Sequence, residues 1–207
     1  VRELRAGGDE VTAVAGVLSG TLAWLFDRYD GERPFSVLVG EAQALGYSEP
    51  DPRADLSGRD VLRKLLILAR SAGAELEPTQ VRLQSLLPPD LAAGDWPQAR
   101  ARMPALDDAV HARWREAQAT GRRLRFVARW SRAAGARIGP DALAPDDPLL
   151  GGQGCDNRVA IWSCRYREQP LVVQGPGAGA VVTAAALLDD VLRLAGEGRT
   201  PLIRTAA

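Results

Sequence analysis

Lysine, histidine and cysteine are nearly missing from this chain. Of its 26 lysines and arginines one is lysine, Lys64, and the rest are arginine; there is one histidine, His111, and there are two cysteines, Cys155 and Cys164. Two cysteines make no disulfide framework, and with a single histidine far away in sequence they make no zinc site. A reduced, cytoplasmic setting is the default that follows. His111 sits within DDAVHARWREA, a helical pattern crowded with charge, so a surface or packing role is expected and a Ser-His-Asp or Cys-His mechanism is not. An excess of one charge is absent too: Lys+Arg and Asp+Glu are 26 each. That balance gives no electrostatic basis for a nucleic acid or an anionic membrane as partner. No apolar run reaches the ~18 residues of a membrane span, and no signal peptide is expected. The first residue is Val1 rather than Met, in a stretch that already reads as helix, so a segment upstream is expected.

What remains is the composition of a globular protein. The 207 residues are 46% hydrophobic and 25% charged, enough to bury a real core in one large domain or two small ones. VRELRAG reads as the tail of a helix. EVTAVAGVLSG is β-branched and apolar, a buried strand ending at Ser19-Gly20. TLAWLFDRYDG and PFSVLVGEAQALG are helices, the second opened by Pro34 and closed by Gly46. Residues 47 to 56 form a proline-rich loop, and a helix of about four turns runs from Ser57 to about Ser71. TQVRLQSLLPPDL is a short strand leading into a loop. WPQARARMPALDDAVHARWREAQATG is largely helical, interrupted at Pro104. The period then changes to two: RLRFVARW, ARIGPDAL, RVAIWSCRY and PLVVQ read as strands of an antiparallel or mixed sheet. GPGAGA turns the chain into a last helix, VVTAAALLDDVLRLAG. The fold class is α+β, helices packed on a mostly antiparallel sheet.

GYSEPDPRADLSGRDVLRK, residues 46 to 64, is the densest stretch. On a helix at about 100° per residue, Arg59, Arg63 and Arg70 fall within ~40° of one another as a solvated stripe. Val61, Leu62, Leu65, Leu66, Leu68 and Ala69 make a broad apolar wall. Asp60 and Lys64 fall between Ile67 and Leu68, a polar notch where a charge needs a partner. Two readings stand open. Ser57-Gly58-Arg59-Asp60 fits a capping box, with Asp60 bonding back to the helix start, and Asp60 with Lys64 fits an i,i+4 ion pair. Against these purely structural roles stands the rarity of lysine. The chain uses arginine wherever a cation suffices, and arginine cannot give up its proton, whereas a partly buried lysine can. Lys64 beside carboxylates is a candidate general acid/base. Glu49, in a loop stiffened by Pro50 and Pro52, could converge with Asp55 and Asp60 to bind an ammonium group. The same acids could hold a divalent metal, but the DxDxDG calcium pattern is absent.

The strand, glycine turn and helix of PLVVQGPGAGAVVTAAALLDDVL resemble a dinucleotide-binding turn. Fewer than ~30 residues follow it, too few for a full βαβ unit with its ribose-binding acid. It fits a tight turn, or the closing element of a nucleotide site begun elsewhere.

Together, GVLSGTLAWLF, LGYSEPDPRADLSGRDVLRKLLILAR and CDNRVAIWSCRYREQPLVVQGPGAGAVVTAA resemble homoserine dehydrogenase across nearly the whole chain. The C-terminal wording looks nearest to the bifunctional aspartate kinase–homoserine dehydrogenases. The resemblance implies NAD- or NADP-dependent interconversion of L-aspartate 4-semialdehyde and L-homoserine, a step of threonine and methionine biosynthesis. It implies Lys64 as general acid/base at the substrate oxygen, Glu49 and Asp60 on the homoserine amine, Asp55 in support, and Thr21 along the substrate. Gly46 and Gly179 match glycines that touch the nucleotide. Ala54 stands where many members carry another aspartate. The family's main nucleotide-binding domain, its second catalytic lysine and its monovalent-cation site lie upstream of the matching segment. The implied organisation is a substrate-binding and homodimerisation domain over 1–174, a closing glycine turn and helix of the nucleotide-binding domain over 175–198, and a tail over 199–207. By this reading the segment alone is inactive. The alternatives are a non-catalytic dimerisation fragment and, further off, a carboxylate-rich metal-binding protein.

Overall fold

Alternation of apolar residues lays down the sheet. In the computed structural model, which describes residues 1–177 and 180–197, the strands are β1 (Val11–Val17), β2 (Val81–Leu83), β3 (Arg123–Ser131), β4 (Gly135–Leu143), β5 (Asp156–Ser163) and β6 (Leu171–Pro176). Their order is β2-β4-β3-β1-β5-β6. Every pairing is antiparallel except the short β2–β4 ladder, which is parallel. The mostly antiparallel sheet and the α+β class expected from the sequence are what is found.

The helices are α1 (Arg2–Ala6), α2 (Gly20–Arg28), α3 (Phe35–Ala44), α4 (Arg53–Leu56), α5 (Arg59–Ser71), α6 (Pro89–Ala92), α7 (Trp96–Arg100), α8 (Asp107–Ala119) and α9 (Ala180–Glu197). One face of the sheet carries the main core. Val14, Leu124, Phe126, Ala128, Ile138 and Ile161 pack there against Leu22 and Leu25 of α2, Phe35 and Leu38 of α3, and Val61, Leu65 and Ala69 of α5. Each large side chain taken fully out of water contributes about 1.5–3 kcal/mol before entropy is charged against it. The opposite face holds a smaller cluster, Ala15, Val17, Val127 and Ala160, under Leu149 from the segment after β4. Beyond Leu149 that face opens into a trough of about 600 Å³ floored by Ala13, Ala15 and Trp162 and rimmed by Arg129, Arg137 and Arg167.

Three local expectations need correction. The loop over 47–56 contains a one-turn helix, α4, too short to show as a period. The capping box at Ser57–Asp60 does not form. The N-cap of α5 is Gly58 at φ 72, with no side chain capping it. Only glycine adopts that left-handed turn without strain, and a Cβ here would stand 2.9 Å from Phe126. Finally, Ile67 is 61% exposed, so the notch around Asp60 and Lys64 is an open edge rather than an enclosed one. The arginine stripe and the apolar wall of α5 lie as read: Arg59, Arg63 and Arg70 are exposed, while Val61, Leu65, Leu66 and Ala69 are buried. His111 takes a packing role, its Nδ1 3.3 Å from the Tyr29 hydroxyl and its ring stacked on Trp114. Both cysteines are free thiols. Gly179, Gly198 and the tail from 199 lie outside the described residues.

Candidate active site

The site forms where β1 ends and α2 begins. Ser19 leaves the strand extended and caps α2, its Oγ accepting from the Leu22 amide at 3.3 Å. This cap frees the Leu18 carbonyl to face α5, where Lys64 Nζ donates to it at 2.9 Å. On the other side, Lys64 Nζ lies 2.8 Å from Asp60 Oδ2. An ammonium has three N–H bonds. Two directions are taken by Leu18 and Asp60, and the third has no partner among the described residues. The Lys64 side chain is 40% exposed and that of Asp60 56%, so the pair stands at the lip of the site.

The acidic loop is held by five contacts. Asp55, on α4, accepts from the Glu49 amide through Oδ2 at 3.0 Å, and its Oδ1 lies 3.0 Å from Thr21 Oγ1. Thr21 Oγ1 donates to the Tyr47 carbonyl at 2.7 Å. The Tyr47 ring stacks on Trp24 of α2 with centroids 5.4 Å apart. Gln43 of α3 reaches the Pro50 carbonyl at 2.7 Å. Glu49 itself projects into solvent.

Arg53 fastens the loop from behind. Its guanidinium lies 2.7 Å from Asp51 Oδ2, donates to the Gly94 carbonyl at 2.9 Å and to the Leu91 carbonyl at 3.3 Å, and sits 5.8 Å over the Trp96 ring. The Arg53 hydrogen bond holds the Asp51 carboxyl below the usual carboxylate range. Asp55 goes the other way. Burial pushes its carboxyl up, and the charges of Glu49 and Asp60 push the same way, outweighing the Glu49 amide and the Thr21 hydroxyl.

Glu49, Asp55 and Asp60 thus line one open cleft of about 750 Å³, together with Arg59, Arg63, Leu87 and Ala92. Thr21 joins it through Asp55, and Lys64 through Asp60. Of the residues singled out in the sequence, these five are brought together. Gly46 follows Leu45, the C-cap of α3, with φ 75 and has open space where a side chain would stand. The sequence reading missed the carbonyls of Leu18 and Tyr47 and the bracket of Arg53. Backbone carbonyls carry no residue-type signal; the run of aspartate, proline and arginine at 51–53 could have flagged the bracket.

The homoserine dehydrogenase family profile matches residues 1–192. This chain belongs to the homoserine dehydrogenase family. It is 46% identical over 195 residues to the bifunctional aspartokinase/homoserine dehydrogenase 2 of Escherichia coli, covering 94% of this chain and 24% of that protein. It is 36% identical over 208 residues to the homoserine dehydrogenase of Paracoccidioides brasiliensis, covering 94% of this chain and 55% of that one. Among solved structures, the homoserine dehydrogenase of Thiobacillus denitrificans superposes with a TM-score of 0.70 at 25% identity, over 97% of this chain and 44% of that one. A Candida auris protein of unknown function reaches 0.87 at 37% identity, over 94% and 56%. The chain therefore spans between about a fifth and just over half of the length of these relatives.

Proposed function

We propose that this homoserine dehydrogenase chain supplies the substrate half of an NAD(P)-dependent enzyme that interconverts L-aspartate 4-semialdehyde and L-homoserine, with Lys64 as the general acid/base. The observation that carries the reading is the placement of Lys64. Its ammonium is held by the Leu18 carbonyl and the Asp60 carboxylate, and its third N–H direction is open to a substrate oxygen. Glu49 and Asp60 hold the substrate amine by charge, and Thr21 and Asp55 fix the loop that presents Glu49. When the amine is seated, its oxygen-bearing carbon lies toward Lys64, which gives a proton to the aldehyde oxygen during reduction and takes it back from the hydroxyl during oxidation. The nicotinamide, when bound, supplies or accepts the hydride.

Residues 1–174 are the substrate and dimerisation domain, and 175–198 close a nucleotide-binding domain. Two exposed surfaces support this division. The helix α9 presents Leu187, Leu188, Val191, Leu192 and Leu194 to solvent, an apolar face suited to packing on a further domain. The trough on the open sheet face suits a second copy of the chain, giving a homodimer. Cofactor contact by Gly46 and Gly179, a monovalent cation bound outside this segment, and a cytoplasmic setting complete the proposal. Among the described residues no helix is long and apolar enough to cross a membrane.

The test is spectrophotometric. The enzyme with its nucleotide-binding domain is given aspartate semialdehyde, and NADPH and NADH oxidation are followed in parallel. Turnover that depends on the semialdehyde supports the reading; none with either cofactor overturns it and favours a module that only dimerises.

A further inference from the structure

The hydroxyl of Thr21 has one proton and two oxygen neighbours. The Tyr47 carbonyl is 2.7 Å away and the nearer oxygen of Asp55 is 3.0 Å away. A carbonyl can only accept, so the shorter contact takes the Thr21 proton. If Asp55 were ionised, the second contact would be two oxygens facing each other with no hydrogen between them. If the hydroxyl turned instead to Asp55, the 2.7 Å contact to Tyr47 would be the bare one. Either way, with an anionic Asp55 a single proton must serve both contacts. A neutral carboxylic acid supplies a second: it donates from Oδ1 to Thr21, and its Oδ2 accepts from the Glu49 amide at 3.0 Å.

We infer that Asp55 is a protonated acid in the resting site, the head of a directed chain from Asp55 through the Thr21 hydroxyl to the Tyr47 carbonyl that locks the acidic loop onto α2. This makes it a positioning residue acting through Thr21 and the Glu49 backbone, distinct from the carboxylates that meet the substrate amine. The surroundings agree. Burial disfavours the anion, and the charged groups facing it on its own loop and on α5, Glu49 and Asp60, are both negative. Asp51 is paired with Arg53, and Lys64 is spent on Asp60. From α2 the uncharged Thr21 meets Asp55, and the charge of that helix nearest the loop is Arg28, whose guanidinium lies 4.8 Å over the Trp24 ring.

A neutral Asp55 also keeps the cleft from gathering one negative charge too many. The inference about the charge state stands on the free protein; the positioning role rests on the homoserine reading. Two measurements keep them apart.

The first is a carbon-13 NMR titration of the chain labelled at aspartate carboxyls, with Asp55→Asn identifying the resonance. One carboxyl absent from the variant should titrate above the ordinary 3.8 and still be protonated at the pH of the kinetic assays. A carboxyl that is ionised at that pH overturns the proposal whatever the enzyme's substrate. The second is kinetic. Asp55→Ala should raise KM for homoserine about tenfold, by loss of loop position, with a smaller fall in kcat. Asp55→Asn, whose amide donates to Thr21 and whose oxygen accepts from Glu49, should recover most of that loss. If Asn is as impaired as Ala, the negative charge itself is what the site needs, and the positioning role fails.

Discussion

Lys64 Nζ and Asp60 Oδ2 lie 2.8 Å apart, one helical turn from each other, on the first two turns of α5. On an exposed helix such a pair contributes only about 0.3–0.5 kcal/mol, so its presence at the lip of the cleft is not a matter of stability. Replacing Asp60 by Ala should leave the melting temperature nearly unmoved and lower kcat/KM for homoserine by about 10²-fold or more, since both the amine contact and the hold on Lys64 are lost. A variant that melts much earlier but turns over normally would show that the pair is structural.

Arg53 predicts a different signature. It ties α4 to the carbonyls of Leu91 and Gly94 and to Asp51. Its planar fork has no equivalent in lysine. Arg53→Lys should therefore loosen the loop: amide exchange over residues 49–56 should speed up, and KM should rise about three- to tenfold with little change in kcat. Unchanged exchange in that loop would remove Arg53 from the account.

The sheet gives a pH dependence of known sign. Burial would raise the Asp141 carboxyl, but Arg129 at 2.8 Å and Arg137 at 2.9 Å outweigh it and hold Asp141 below its ordinary 3.8. A depressed carboxyl stabilises the fold above its unfolded value, and the contribution is lost as pH falls through the folded one. Asp55, raised from 3.8, has the opposite sign: its contribution is full below 3.8 and lost as pH rises through its folded value. Urea unfolding at a series of pH values should show Asp141→Asn less stable by about 1–2 kcal/mol near neutrality and with a flatter loss of stability in acid. An acid limb identical to that of the parent would contradict the role given to Arg129 and Arg137.

Much of this was legible in the sequence, for identifiable reasons. Strands β3 to β6 were read because their side chains alternate over long runs, and the buried and solvated faces of α5 because its apolar residues recur at helical spacing. What escaped depends on contacts distant in sequence. Gly58 was read as part of a capping box, but its position against Phe126, some 70 residues on, demands a left-handed turn without a side chain. Arg125 sits among apolar strand residues and is buried because the Phe26 carbonyl, at 2.8 Å, and Asp27, at 3.2 Å, receive it from α2. In the site, residue types pointed to Glu49, Asp55, Asp60 and Lys64. The carbonyls of Leu18 and Tyr47, which orient Lys64 and Thr21, became visible only with the backbone in place.

The proton-transfer role of Lys64 is the centre of the account, and Lys64→Ala measures it most directly. The variant should fold as the parent does, judged by circular dichroism and melting, and its kcat for homoserine oxidation should fall by about 10²–10⁴-fold. A small primary amine added to the assay should restore part of the loss in proportion to its concentration. A variant that keeps near-normal kcat would contradict the assignment of Lys64 as the general acid/base.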